Sequence, residues 1–240
     1  MRPLKLVLTA LFIACIPVFL VTSNVRWVIN APFLYSYGFD KYKVAETTGI
    51  ERDELIRAGA AFREYFNNDE DVLEVRVIQH GVLRSIYNDR EIAHMVDVKG
   101  LVRGVWMVHV ATGGYIGFFL LGGALLYRRR WIGIAGDLLG RGGLLTLGLV
   151  VVVGLAALVG FDRVFLAFHL VSFSNDLWQL DPNRDVLLMM FPQGFFFDAT
   201  MWIVGSTVVE ALLLSMYLIA RRIHGLWSAG DSAEGAAAPR

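Results

Sequence analysis

PLKLVLTALFIACIPVFLVTSN, residues 3–24, is the stretch on which the reading of the whole chain turns. Its apolar run is long enough to cross a hydrocarbon core of about 30 Å, which takes about 20 helical residues. Arg2 and Lys5 ahead of such a run also suit a cleaved signal peptide. The apolar core is long for a signal, however, and no small-x-small cleavage site follows it. Phe12 and Pro17 spoil the faint lipoprotein-signal pattern around Ala14 and Cys15. The stretch therefore reads as an uncleaved anchor. Composition agrees, since 56% hydrophobic against 18% charged residues is too apolar for a soluble domain of 240 residues. Three further runs have spanning length, and the expected crossings are 1–22, 105–127, 143–160 and 199–219.

Orientation follows from the short loops, where Lys and Arg mark the cytoplasmic side. Arg128, Arg129, Arg130 and Arg141 lie between the second and third spans, and Arg221 and Arg222 follow the fourth. With Arg2 and Lys5 at the start, they predict cytoplasmic termini, a cytoplasmic loop at 128–142 and a cytoplasmic tail at 220–240. Residues 23–104 and 161–198 are then left outside, the latter as an interfacial loop. The expected fold class is mainly α: a four-helix integral membrane protein with a small α+β extracytoplasmic region in its first outer loop. Lys plus Arg number 22 and Asp plus Glu number 22, so the balanced charge leaves no basic footprint for nucleic acid. Cys15 is the only cysteine, which excludes a disulfide framework, a cysteine-based metal site and a thiol nucleophile near water. It is expected to pack within the first span.

The larger outer segment carries ordered elements. GIERDELIRAGAAFREYFNN, residues 49–68, sets Leu55, Phe62 and Phe66 with Ala58 or Gly59 on one helical face, opposite Glu54, Arg57 and Glu64. VLEVRVI, residues 72–78, alternates instead, and His80-Gly81 supplies a turn, so a short hairpin follows. Asn88 or Asp89 then caps a helix that runs through residues 91–102 into the second span. SAGDSAEGAAAPR at the end, residues 228–240, is small, polar and without periodicity, and predicts disorder.

Polar residues are set into this apolar frame at two places. On the helix beginning near residue 89, Arg90, His94, Asp97 and Leu101 share one face, and Glu91 with His94 makes a second pair one turn apart. A carboxylate at that spacing fixes an imidazole's tautomer and makes it a better base. The second place is residues 161–192, where His169, Asn175, Asp176, Trp178, Asp181, Pro182 and Asp185 stand among Phe, Leu, Val and Met. At that depth polar groups are tolerated where they line a cavity or pair with protein. His94 and His169 are therefore read as a joint site on one side of the membrane. Packing roles remain open for both, and are favoured for His109 in the second span and His80 on the presumed turn. Glu210, within the fourth span, is a further candidate or a protonated, hydrogen-bonded carboxyl.

REIAHMVDVKGL at 90–101 and FHLVSFSNDLWQLDPNRDVLLMMFP at 168–192, each followed by a span, resemble the two signature blocks of a bacterial integral-membrane family that includes the lipoprotein intramolecular transacylases. The helix at 49–68 resembles that family's first-loop helix, so the likeness covers nearly the whole chain. The resemblance implies chemistry on a lipoprotein whose N-terminal cysteine carries a diacylglyceryl thioether. The sn-2 acyl chain would move from the glycerol oxygen to the cysteine α-amine, leaving an N-acyl lyso-form lipoprotein in the bacterial cytoplasmic membrane.

Such a reaction needs no serine or cysteine nucleophile, because the substrate supplies its own amine. It needs a base, and a group to hold the oxyanion and see the glycerol oxygen protonated. His94, oriented by Asp97 or Glu91, is read as the base and His169 as the oxyanion or proton-returning group, with the roles open to exchange. Lys99 and Asn175 are candidate polarising groups, Asp181 with Pro182 and Trp178 shapes the loop, and Arg163 is an alternative interfacial anchor. Diacylglyceryl-modified lipoproteins and membrane lipids are the expected partners, with no cofactor and no metal. Three alternatives stay open: a zinc-dependent membrane hydrolase, which lacks a convincing third ligand; a bis-histidine haem carrier, whose ligands would normally sit within the spans; and a non-catalytic lipid-binding or assembly protein.

Overall fold

The structure is a computed structural model that describes residues 2–79 and 81–237, with side chains described for 3–79 and 81–221. Its elements in chain order are α1 (Arg2–Asn30), α2 (Pro32–Lys41), α3 (Val44–Thr48), α4 (Arg52–Asn67), β1 (Arg76–Gln79), β2 (Val82–Ser85), α5 (Asp89–Tyr127), α6 (Arg129–Ser172), α7 (Val186–Met190) and α8 (Gln193–Ala237). Pro3–Asn30 within α1, all of α5 and α6, and Gln193–Arg221 within α8 are long and apolar enough to cross a membrane. The architecture is thus mainly helical, with four apolar helices and a two-stranded sheet among the described residues. The turn at His80 lies outside the described residues; of the stretch 228–240 where disorder is expected, residues 228–237 are instead the helical end of α8, and 238–240 lie outside the described residues.

The chain forms two compact units, each assembled from segments far apart in sequence. The first comprises Met1–Val21, Val108–Val152 and Gly205–Arg240. Phe12, Ile16 and Leu138 are its buried centre, and Phe12 stacks on Phe119 with ring centroids 4.4 Å apart. Small residues allow close helix approach where lipid supplies no hydrophobic drive between helices. At Gly143 an added Cβ would lie 2.7 Å from the Ala211 carbonyl oxygen, so only hydrogen fits. Buried hydroxyls are satisfied within their own helices: Thr146 donates to the Gly142 carbonyl at 2.8 Å and Ser215 to that of Ala211 at 2.7 Å. Cys15 is buried in α1. Arg128 alone joins α5 to α6 in the left-handed conformation, with φ 49°, so residues 129–142 are already helical.

The second unit comprises Thr22–Met107 and Val153–Val204. Its core gathers Tyr35 and Phe39 from α2, Leu55, Phe62 and Tyr65 from α4, and Met190, Phe191 and Phe195 from the chain around α7. α4 buries Leu55, Ala58, Gly59, Phe62 and Tyr65, as the helical period requires, with Phe66 partly buried. Glu54 departs from the expected polar face: it is buried, and Arg57 one turn on pairs with its carboxylate. Leu73 and Val75, ahead of an antiparallel hairpin, and Val77, within its first strand, alternate into the core; the hairpin pairs Val77 with Arg84 and Gln79 with Val82. α2, α3 and α7 are short helices that the periodicity does not announce.

Gly143→Leu would drive a side chain against the main chain of residue 211. It is expected to destabilise the detergent-solubilised protein by about 1–3 kcal/mol, read as a lowered thermal unfolding midpoint. An unchanged midpoint would contradict the close helix approach.

Candidate active site

His94 stands early on α5 and His169 near the end of α6. α6 reaches that position only after a break at Gly160, whose φ −164° and ψ 66° are not helical. The residues expected as an interfacial stretch are therefore helical as far as Ser172. The two imidazoles lie side by side, with ring centroids 6.4 Å apart and planes 29° from parallel. Each is only 8% exposed. Aromatic rings surround them: Phe165 at 4.4 Å, Trp178 at 5.0 Å and Phe168 at 5.3 Å from His169, and Phe173 at 5.2 Å from His94.

Their hydrogen bonding differs. His169 Nδ1 lies 2.8 Å from the Phe165 carbonyl oxygen one turn back, and an imidazole can engage that acceptor only by donating Nδ1–H. Its Nε2 then carries the lone pair. His94 Nδ1 is buried with no hydrogen-bond partner. Charging both rings together is disfavoured, because like charges at this separation repel strongly in an apolar setting.

A polar network binds the two sequence blocks to each other. Asn88 caps α5, its Oδ1 accepting the N–H groups of Arg90 and Glu91 at 3.0 and 3.1 Å. Glu91 Oε2 accepts the Asn88 N–H at 2.7 Å, which completes a reciprocal cap. The other oxygen, Oε1, accepts the Leu187 N–H at 2.7 Å, in the first turn of α7. Asn88 Nδ2 donates to Asp185 Oδ1 at 3.0 Å, and the Asp181 N–H donates to Asp185 Oδ2 at 2.7 Å. Arg184 Nε adds a third contact at 3.2 Å. Asp185 is fully buried and Glu91 is 1% exposed. Burial works against the charge on Asp185, but its donors overcome this and hold the carboxyl below the usual carboxylate range.

The expected site residues separate accordingly. His94 and His169 meet. Asp97 and Asn175 also meet, Asn175 Nδ2 donating to Asp97 Oδ2 at 2.8 Å, while Asn175 Oδ1 accepts the Leu177 N–H at 3.0 Å. Arg90 donates to the Asp176 carbonyl. Glu91 holds main-chain groups with both oxygens. Asp181 Oδ1 accepts the Asn183 N–H at 2.9 Å within a turn. Lys99 is engaged elsewhere: it donates to Asn68 Oδ1 at 2.9 Å and to the Glu70 carbonyl, above the Tyr65 ring. His109 stacks on Phe19 in the first unit. Among the described residues, no three His, Cys, Asp or Glu side chains come together in a group able to hold a metal ion. The bridging roles of Asn88 and Asp185 escaped the sequence reading. The Asn-x-x-Glu spacing at 88–91 signals a cap, but nothing in the sequence pairs it with residue 185.

Four apolar helices, with a buried histidine pair on segments that a polar bridge ties together, describe a multi-pass integral membrane protein. The chain belongs to the family described as lipoprotein intramolecular transacylase Lit, which it matches over residues 10–196. It is accordingly a membrane acyltransferase of lipoprotein modification. The membrane-integral lipoprotein intramolecular transacylase Lit from Bacillus cereus, solved in meso, shares the fold with a TM-score of 0.77 at 21% identity, over 95% of this chain and 100% of that one. A variant of that protein with one histidine replaced by alanine matches at TM-score 0.72 and 21% identity, over 94% of this chain and 97% of its own. An uncharacterized protein of Aquifex aeolicus (strain VF5) is 23% identical over 168 residues, 69% of this chain and 72% of that one.

Asp185→Ala leaves Asn88 and the Asp181 N–H without their acceptor, and is expected to destabilise the protein by about 1–3 kcal/mol. The folded carboxyl titrates below its ordinary value of about 3.9. Its contribution is therefore complete above about pH 4 and is lost as pH falls through the folded-state value. Melting profiles of wild type and variant should differ at neutral pH and converge in acid; a gap that persists in acid would contradict the charged bridge.

Proposed function

We propose that this chain moves the sn-2 acyl group of a diacylglyceryl-cysteine lipoprotein from the glycerol oxygen to the cysteine α-amine, with His94 and His169 as the working pair. The observation that carries this reading is the placement of two buried imidazoles side by side, one of them held by a main-chain acceptor. An α-amine with pKa about 7.7–8.0 is only about a tenth to a fifth free at pH 7, so attack needs a base.

His169 takes that role. The Phe165 carbonyl holds its Nδ1–H, which leaves Nε2 to accept the proton from the attacking nitrogen and return it to the departing glycerol oxygen. One C–N bond forms and one C–O bond breaks, with no net change in protons. His94 holds the oxyanion. A stranded lone pair is cheaper to bury than a stranded N–H, so its unpartnered Nδ1 favours the tautomer that keeps hydrogen on Nε2 as donor. This exchanges the roles expected from helix spacing, because both Glu91 oxygens and Asp97 Oδ2 have other partners. Holding ester and amine together supplies much of the remaining acceleration through orientation. Glu91 and Asp97, with Asn175 and Asp181, are positioning residues that fix the two blocks, and Lys99 braces the chain after α4.

In the proposed topology, both termini and the turn at Arg128 face the cytoplasm, and the histidine pair faces outward. A reporter inserted near Asn68 should then be outside and one after Arg130 inside; the reverse result would put the pair on the wrong side for a lipoprotein amine.

His94→Ala and His169→Ala should each lower N-acyl lyso-lipoprotein formation on the order of 10²-fold or more, measured by mass spectrometry of a lipoprotein N-terminal peptide. The double variant should lose little beyond the worse single one, because the pair acts as a unit. His80→Ala serves as the control. Near-normal conversion by either single variant, or a loss that only tracks protein level in the membrane, would return the histidines to packing.

A further inference from the structure

Where α1 gives way to α2, an open groove of about 520 Å³ is lined by Arg26, Trp27, Asn30, Ala31, Pro32 and Phe33. A narrower cleft shares Arg26 and Asn30 and adds Asn67 and Trp106. No residue of the histidine site takes part. The Arg26 guanidinium carbon lies over the Trp106 ring, 3.5 Å from its centroid, a cation–π contact that holds the cation in place. Arg63 reaches the same spot from α4, its Nη1 3.5 Å from the Asn30 carbonyl oxygen.

Side-chain amides complete the floor. Asn67 Nδ2 donates to Asn30 Oδ1 at 2.6 Å, and Asn30 Nδ2 donates to the Arg26 carbonyl at 2.8 Å. The ion pairs among the described residues use other cations, so neither the Arg26 nor the Arg63 guanidinium has a carboxylate at ion-pair distance. The rim is aromatic and open: Trp27 is 48% exposed and Phe33 39%, with Phe33 between Trp27 at 5.8 Å and Trp202 at 5.3 Å.

We propose that this groove binds the phosphodiester of an anionic phospholipid. Arg26 pairs with the phosphate, Arg63 adds a second positive charge, and Trp27 and Phe33 cover the glycerol and upper acyl chains. Guanidinium suits a phosphate better than an ammonium does, because its planar fork meets two oxygens at once. The aromatic rim selects a lipid over a free anion, since indole and phenyl rings settle at headgroup depth. Arg26 also stands where that depth is reached, just past an apolar run from the start of α1 that is about 20 residues long.

The test is native mass spectrometry of the full chain in non-ionic detergent, titrated with phosphatidylglycerol, with phosphatidylcholine and with inorganic phosphate. Wild type should retain phosphatidylglycerol in preference to phosphatidylcholine, and millimolar phosphate should not displace it. Arg26→Gln should weaken that retention about fivefold or more, the size expected for one charge near an anionic lipid. Arg63→Gln should weaken it less, and Arg84→Gln on the hairpin should leave it unchanged. Should Arg26→Gln lower the thermal unfolding midpoint, Trp27→Ala replaces it and should reduce phosphatidylglycerol retention several-fold. Equal retention of the two lipids, full retention in Arg26→Gln or Trp27→Ala, or displacement by free phosphate would each overturn the proposal.

Discussion

A carboxylate taken out of water must find hydrogen-bond donors in place of the water it has lost, and in this chain Glu91 and Asp185 find theirs across the two sequence blocks. Glu91 closes the first turn of α5 with one oxygen and takes the N–H of Leu187 with the other. Asp185 accepts from Asn88 beside that cap and from the turn at Asp181. Neither acid can be satisfied unless the start of α5 lies against the start of α7. That requirement sets the register between the helix carrying His94 and the loop that follows His169, and Arg90 to Asp176 and Asn175 to Asp97 repeat the tie further along. Removing one partner of such a buried arrangement costs more than the bond itself contributes, because the group left behind remains desolvated.

Around the imidazoles the setting is aromatic instead. Phe165, Phe168, Phe173 and Trp178 leave little room for water, so the electrostatic interactions of the rings act at closer to full strength. The single Nδ1 contact of His169 distinguishes two rings that are otherwise similarly buried. In the proposed chemistry that difference separates the base from the oxyanion donor. A soluble enzyme would commonly use a carboxylate to orient the base. Here a helix carbonyl one turn back serves, since α6 supplies it without placing another charge in an apolar site.

The unit built from the start of α1, the middle of the chain and α8 obeys a different rule. Lipid offers no hydrophobic drive between helices, so contact depends on close approach and on hydroxyls satisfied within their own helices. Gly143 against the Ala211 carbonyl, and Thr146 and Ser215 bonded back to residues one turn earlier, are that rule in particular side chains.

The sequence by itself determined the four apolar helices, because twenty-residue hydrophobic runs have no other comfortable solvent, and it determined the buried face of α4 through its 3.6-residue period. The cap at Asn88 and the continuation of α5 were legible for the same local reasons. The two histidines stood out as polar groups in apolar surroundings, and the blocks that carry them were legible as family motifs. Only the tertiary structure decided what those motifs touch. Glu91, spaced to orient His94, instead binds two main-chain N–H groups, one of them far along the chain. Glu54 turned inward, where the largely exposed Arg57 pairs with it. Lys99 went to Asn68 and Glu70, and α6 continued past Gly160 to carry His169. Periodicity reports which face of a helix prefers water; it holds no information on which distant donor will meet a buried acceptor, and that pairing is settled only when the whole chain packs.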